Sequence, residues 1–104
     1  MVSRDTGHPW VADLVPNSIR LWHDESTGMI QPICTTAIEH GDGWNSVLKV
    51  GVGAWGTSYR VEDCCIERRT ESGGRIVLCQ VALAGRLRTN PAARALAAAL
   101  LAAN

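Results

Sequence analysis

Between residues 18 and 23 the chain alternates with period two, and Glu25, Ser26, Thr27 and Gly28 supply turn chemistry before a second apolar run over 29–38. The pattern predicts a hairpin. Pro32 has no N–H to give to a ladder, which places the second strand at the sheet margin or breaks it with a bulge. Gly41, Asp42 and Gly43 form the clearest turn, and the 46–52 run follows with Leu48, Val50 and Val52 on one face and Lys49 on the other. A third strand is expected there. From 57 to 69 the alternation changes phase: Tyr59 and Val61 share one face, whereas Cys64 and Ile66 fall on the opposite one. A bulge near Glu62 and Asp63 reconciles them. Ser72, Gly73 and Gly74 then turn the chain into the 75–83 run, which is apolar on both faces and reads as a central strand.

The last segment changes period. Thr89 or Asn90 stands as N-cap, Pro91 occupies the first helical position, and eight Ala and three Leu follow before Asn104. This predicts a helix over 90–103. Residues 10–15, bracketed by Pro9 and Pro16, fit a first strand or a short helix, and the strand is the preferred reading. The expected fold class is α+β: an antiparallel meander of four to five strands with one C-terminal helix packed on the sheet. The expected organisation is a single domain over 1–104, with an N-terminal segment (1–17), the sheet (18–83) and the helix (90–103).

Composition narrows the function classes. The 104 residues carry ten basic and ten acidic side chains, 46% apolar residues and 19% charged ones, which is the balance of a globular domain rather than of a disordered chain. Zero formal charge supplies no positive field for phosphate or anionic lipid, so nucleic acid and membrane surfaces are disfavoured as partners. The N-terminus lacks the basic and hydrophobic regions of a signal peptide and no apolar run is long enough to span a bilayer, so a cytoplasmic address is expected. Charge is nevertheless uneven. Residues 1–52 hold three basic and six acidic side chains, while 53–104 hold seven Arg and four acidic residues. Arg68, Arg69, Arg75, Arg86 and Arg88 form either a solvated rim or a patch for an acidic protein surface.

Cys34, Cys64, Cys65 and Cys79 lack the Cys-x-x-Cys spacing of a structural zinc site, so no metal is expected and the thiols read as reduced, small core hydrophobes. A disulfide from Cys64 or Cys65 to Cys79 requires suitable cross-strand geometry. The segment from Gly51 through Gly53 to Gly56 spells the dinucleotide-binding pattern Gly-x-Gly-x-x-Gly. It runs into strand-like residues instead of a helix, so it is read as a tight connection and no cofactor is expected. His23 beside Asp24, and His40 near Asp42, are the pairs from which an acid/base site is conceivable, with Tyr59 or a Trp as pocket wall.

Two further features bear on function. Residues 6–10, Thr-Gly-His-Pro-Trp, and the Ala/Leu-rich stretch 90–103 resemble the ends of a group of small phage-borne proteins, which begin Thr-x-x-Pro-Trp and close on an Ala/Leu-rich helix. The resemblance implies a mobile-element origin and transfers no catalytic residue. From Ala92 to Ala103 the only charged side chain is Arg94, so the helix has no polar face to give to water. Leu96 and Leu100 recur at i and i+4 to pack inward, which leaves Leu101 about 100° around the cylinder. The first reading is therefore a small non-enzymatic binding or assembly protein. It forms a homodimer through Leu101, Ala97 and Ala93, with Trp55 and Trp10 as further contact residues and another protein as a second possible partner. Alternatively, the segment around Trp10 covers Leu101 within one chain. The competing functional class is a small acid/base enzyme or ligand-binding domain using His23, His40, Asp24 or Asp42.

Overall fold

The structure is a computed structural model that describes residues 2–5, 7–12, 14, 22, 29, 30, 32–53 and 56–102. It is α+β. Strands β1 (Val2–Asp5), β2 (Asn45–Val52), β3 (Arg60–Arg69) and β4 (Arg75–Cys79) lie in that spatial order, each antiparallel to its neighbour, and helix α1 (Pro91–Ala102) follows.

The β3–β4 hairpin forms where Ser72, Gly73 and Gly74 predicted a turn, closed by the Thr70 N–H donating to the Gly74 carbonyl at 2.9 Å. Asn90 caps α1: its Oδ1 accepts from the Ala93 N–H at 3.1 Å, and its carbonyl accepts from the Arg94 N–H. Pro91 opens the helix, where its missing N–H costs nothing.

Three expectations are corrected. Residues 9–12 form turns instead of a strand. The Val11 N–H donates to the His8 carbonyl and the Leu14 N–H to the Val11 carbonyl, both at 3.0 Å, an i to i−3 spacing that no strand makes. The 29–38 run is not a continuous strand among its described residues. Ile33 and Cys34 are consecutive and both buried, and Ile38 makes an isolated bridge to β3, opposite Asp63. The run crosses the core edge as an extended cover, with the Ile33 carbonyl accepting from the Ala82 N–H at 2.7 Å. Its proposed partner over 18–23 lies outside the described residues except for Trp22, which is fully buried. Finally, β4 ends the sheet order instead of lying at its centre. Only its Val77 and Cys79 side packs against the core, and Ile76 and Leu78 point outward with 39% and 43% of their surface exposed.

The phase change in β3 has a more specific form than the alternation implied. Ser46 faces Ile66, Leu48 faces Cys65 and Lys49 faces Asp63, so Val47 is an extra residue on β2 and Cys64 an extra residue on β3. Two opposed bulges cancel and restore the register. Between them consecutive residues turn to the same side. Val47 with Leu48, and Cys64 with Cys65, are all fully or almost fully buried in one cluster with Val50, Val52, Trp22, Ile33, Cys34, Ala92, Ala93 and Leu96. The N-terminal half of α1 closes this core.

Candidate functional site

Two carboxylates on β3, Asp63 and Glu67, are buried, and each collects partners from elements far apart in sequence. Asp63 Oδ1 accepts from the Ser46 hydroxyl at 2.6 Å and pairs with Lys49 Nζ at 2.9 Å, while Oδ2 meets His40 Nε2 at 2.5 Å. Its main-chain carbonyl also accepts the Ile38 N–H at 2.7 Å. Glu67 Oε1 accepts from Asn45 Nδ2 at 3.0 Å and lies 3.4 Å from His8 Nε2, and Oε2 is 3.8 Å from Arg75. Register puts Lys49 opposite Asp63 and Asn45 opposite Glu67, so the sheet itself supplies one partner to each carboxylate.

Each carboxylate has a histidine partner. His8 Nδ1 accepts the Trp10 N–H at 3.2 Å, and its Nε2 lies toward Glu67 Oε1. His40 has an acceptor at both ring nitrogens: the Gly41 carbonyl lies 2.7 Å from Nδ1, and the Asp63 carboxylate meets Nε2. Only imidazolium satisfies both. Its pKa is accordingly raised, first by the Asp63 hydrogen bond and then by the Gly41 carbonyl. At Asp63 burial opposes ionisation, but the hydrogen bonds from His40, Ser46 and Lys49 outweigh it and hold the pKa below the usual carboxylate value. Glu67 follows the same logic, burial being outweighed by Asn45, His8 and Arg75. These are staples. Asp63 ties down 38–40 and Glu67 ties down the N-terminal turn at 8–10, and the strong donors on both leave little capacity for acid/base chemistry.

The pH dependence follows from the signs. A lowered carboxylate pKa contributes stability above the unfolded value, near 4, that is lost as pH falls through the folded value. A raised His40 pKa contributes stability below about 6.5 that is lost as pH rises through the folded value. Replacing His40→Gln is therefore expected to lower Tm most near pH ~5.5 and progressively less above the raised His40 value. Melting curves from pH ~5 to ~9 check this, and a wild-type-to-variant gap that stays constant over that range contradicts it.

Two of the arginines read as a solvated rim or a patch stack on tryptophans. Arg68 stacks over Trp44 with its guanidinium carbon 5.0 Å from the ring centre, and Arg75 over Trp10 at 5.2 Å, where His8 also meets the indole edge-on at 4.8 Å. The cysteines fall into two pairs: Cys34 interacts with Cys64, and Cys65 stands directly opposite Cys79 and interacts with it. No disulfide joins the four cysteines, and no cluster of three or more His, Cys, Asp or Glu able to hold a metal occurs among the described residues.

Of the residues singled out from sequence, His23, Asp24 and Trp55 lie outside the described residues. His40 and Asp42 are not brought together as a dyad, because the carboxylate on His40 is Asp63 and Asp42 stays on the exposed turn. Trp10 is half-buried at the Glu67 cluster and leaves Leu101 88% exposed. Ala97 is half-buried, whereas Ala93 is fully buried in the core and unavailable to a second chain, a correction to its place in the expected interface. Its position one turn before Ala97 is right for a shared face, but α1 enters the core by its first turns, so the face opens only toward the C-terminus. No helix among the described residues is long and apolar enough to cross a membrane. Comparison with protein-family models, curated proteins and solved structures gives no match, so the functional reading rests on this geometry.

Proposed function

We propose that this is a small, non-enzymatic assembly protein that forms a homodimer through the C-terminal half of α1. The carrying observation is Leu101, 88% exposed on a helix whose residues after Arg94 include no charged side chain. Ala98 and Ala102 flank it on the exposed side, and Ala97 borders the same surface. Small side chains let two such helices approach closely, and a two-fold contact buries Leu101 of both copies. Each Leu removed from water contributes roughly 1.5–3 kcal/mol. With Ala93 committed to the core, the contact centres on Leu101.

The acid/base alternative loses support at His40. An imidazolium with both N–H groups engaged has no lone pair with which to accept a proton from a substrate. A cytoplasmic location, a second protein partner and a mobile-element origin belong to the same proposal; the last rests on the resemblance of the two chain ends.

Leu101→Glu is expected to convert the dimer into a folded monomer with an unchanged far-ultraviolet circular dichroism spectrum, read by size-exclusion chromatography with light scattering. Ile76→Lys, on the outward face of β4, is expected to leave the dimer intact. A dimer that survives Leu101→Glu but dissociates in Ile76→Lys would place the contact on the sheet edge and refute the helix assignment.

A further inference from the structure

We propose that Cys65 and Cys79 form a hydroperoxide-oxidisable dithiol that closes to a cross-strand disulfide, a property independent of the self-association reading. The register supplies the geometry. Cys65 on β3 directly faces Cys79 on β4. The Gln80 N–H donates to the Cys64 carbonyl at 2.8 Å, and at the other end of the ladder the Thr70 N–H donates to the Gly74 carbonyl at 2.9 Å. Both contacts make residue pairs of even number on β3 the hydrogen-bonded ones, so Cys65 and Cys79 occupy a non-hydrogen-bonded pair. Such pairs bring the Cα atoms to about 4.5 Å, inside the span that a disulfide bridges. The two thiols interact with each other across the pair.

Access separates Cys79 from the other three cysteines, Cys65 included. Cys79 is half-buried at the end of the edge strand, whereas Cys34 and Cys64 are enclosed in the core. Burial raises the pKa of both enclosed thiols and keeps them protonated. At Cys79 the hydrogen bond from the Cys65 thiol outweighs burial and lowers the pKa, and Cys65 is raised in return. Its access at the edge of the sheet makes Cys79 the attacking sulfur, and the enclosed Cys65 opposite it the resolving one.

The chemistry balances with a hydroperoxide as oxidant. The Cys79 thiolate attacks the terminal oxygen, an S–O bond forms, the O–O bond breaks, and the departing alkoxide takes up the proton that Cys79 released on ionising. Cys79 is then a sulfenic acid. The Cys65 sulfur attacks it as its own thiol proton leaves, the S–S bond forms, the S–O bond breaks, and hydroxide departs with that proton as water. Two thiols lose two electrons, and the hydroperoxide is reduced to an alcohol and water. The product fastens the edge strand β4 to β3.

The probe is hydrogen peroxide added to the folded, reduced protein, followed by removal of excess oxidant, unfolding without reductant, thiol titration and tryptic mapping. Titratable thiols are expected to fall from four to two, with the peptide carrying Cys64 and Cys65 joined to the one carrying Cys79. Cys64→Ala should still lose two thiols. Cys65→Ser should stop at a sulfenic acid on Cys79, trapped by a 1,3-diketone. Cys79→Ser, at the half-buried edge where substitution least disturbs packing, should keep its three remaining thiols. Four persisting thiols in the wild type, a Cys34–Cys64 link, or a link between chains overturns the proposal.

Discussion

Trp22→Ala is expected to remove about 3–5 kcal/mol of folding stability, the largest single-residue effect among the described residues. Trp22 is fully buried and heads the buried side chains by volume, in the cluster that joins the sheet to α1. Its indole N–H donates to the Ala82 carbonyl at 2.8 Å. Truncation leaves a cavity in a chain with no phenylalanine to share its bulk, and it orphans that carbonyl. Domains of this size hold about 5–15 kcal/mol in all, so much of the folded population is at stake. Trp22→Phe separates the two contributions, since it keeps most of the ring and loses the hydrogen bond at a cost of about 1–3 kcal/mol. Urea unfolding of both variants measures this, and a loss under about 1 kcal/mol for Trp22→Ala contradicts the assigned core.

Gly53→Ala is expected to cost roughly 2–4 kcal/mol by a different route. Gly53 follows β2 with φ of 87°, and a Cβ there would meet the Ser58 carbonyl well inside van der Waals contact. The obstacle is backbone on the other side of the turn, so no side-chain rotation relieves it. Gly56→Ala, at φ of 84° with open space around the added methyl, carries only the conformational penalty and should cost clearly less. Equal losses in the two variants, measured by the same unfolding experiment, would show that the close approach to Ser58 does not exist.

Local chemistry made part of this fold legible. Asn90 followed by Pro91 marks a helix start, Ser72-Gly73-Gly74 marks a hairpin, and the 46–52 alternation marks β2, because each depends on residues adjacent in sequence. What stayed hidden depends on partners far away. β1 is Val-Ser-Arg-Asp, a stretch with no apolar alternation, and it is a strand because β2 pairs with it. β4 is apolar on both faces, and only tertiary placement decides that one of them looks outward. The paired bulges at Val47 and Cys64 shift which consecutive residues are buried, a displacement that period-two reading detects as a phase error without locating it on both strands.

The carboxylate clusters were the larger omission. Asp63 and Glu67 flank Cys64, Cys65 and Ile66 within one strand, and an acidic residue beside a buried apolar run must find donors. That signal was available. Its partners were not, since His8, His40, Asn45, Ser46, Lys49 and Arg75 converge only once the sheet forms. The sequence pairing of His40 with Asp42 chose the near neighbour where the fold chose the distant one. Conversely, the exposure of Leu101 was visible from its angle on the helical wheel, and the burial of Ala93 was not, because it depends on how deeply α1 enters the core.

The most direct test of the assembly account is the mass of the unmodified protein in solution, measured by light scattering behind size-exclusion chromatography across a micromolar dilution series under reducing conditions. The account predicts twice the chain mass, falling toward one chain only at the dilute end. A mass of one chain at every micromolar concentration would contradict it.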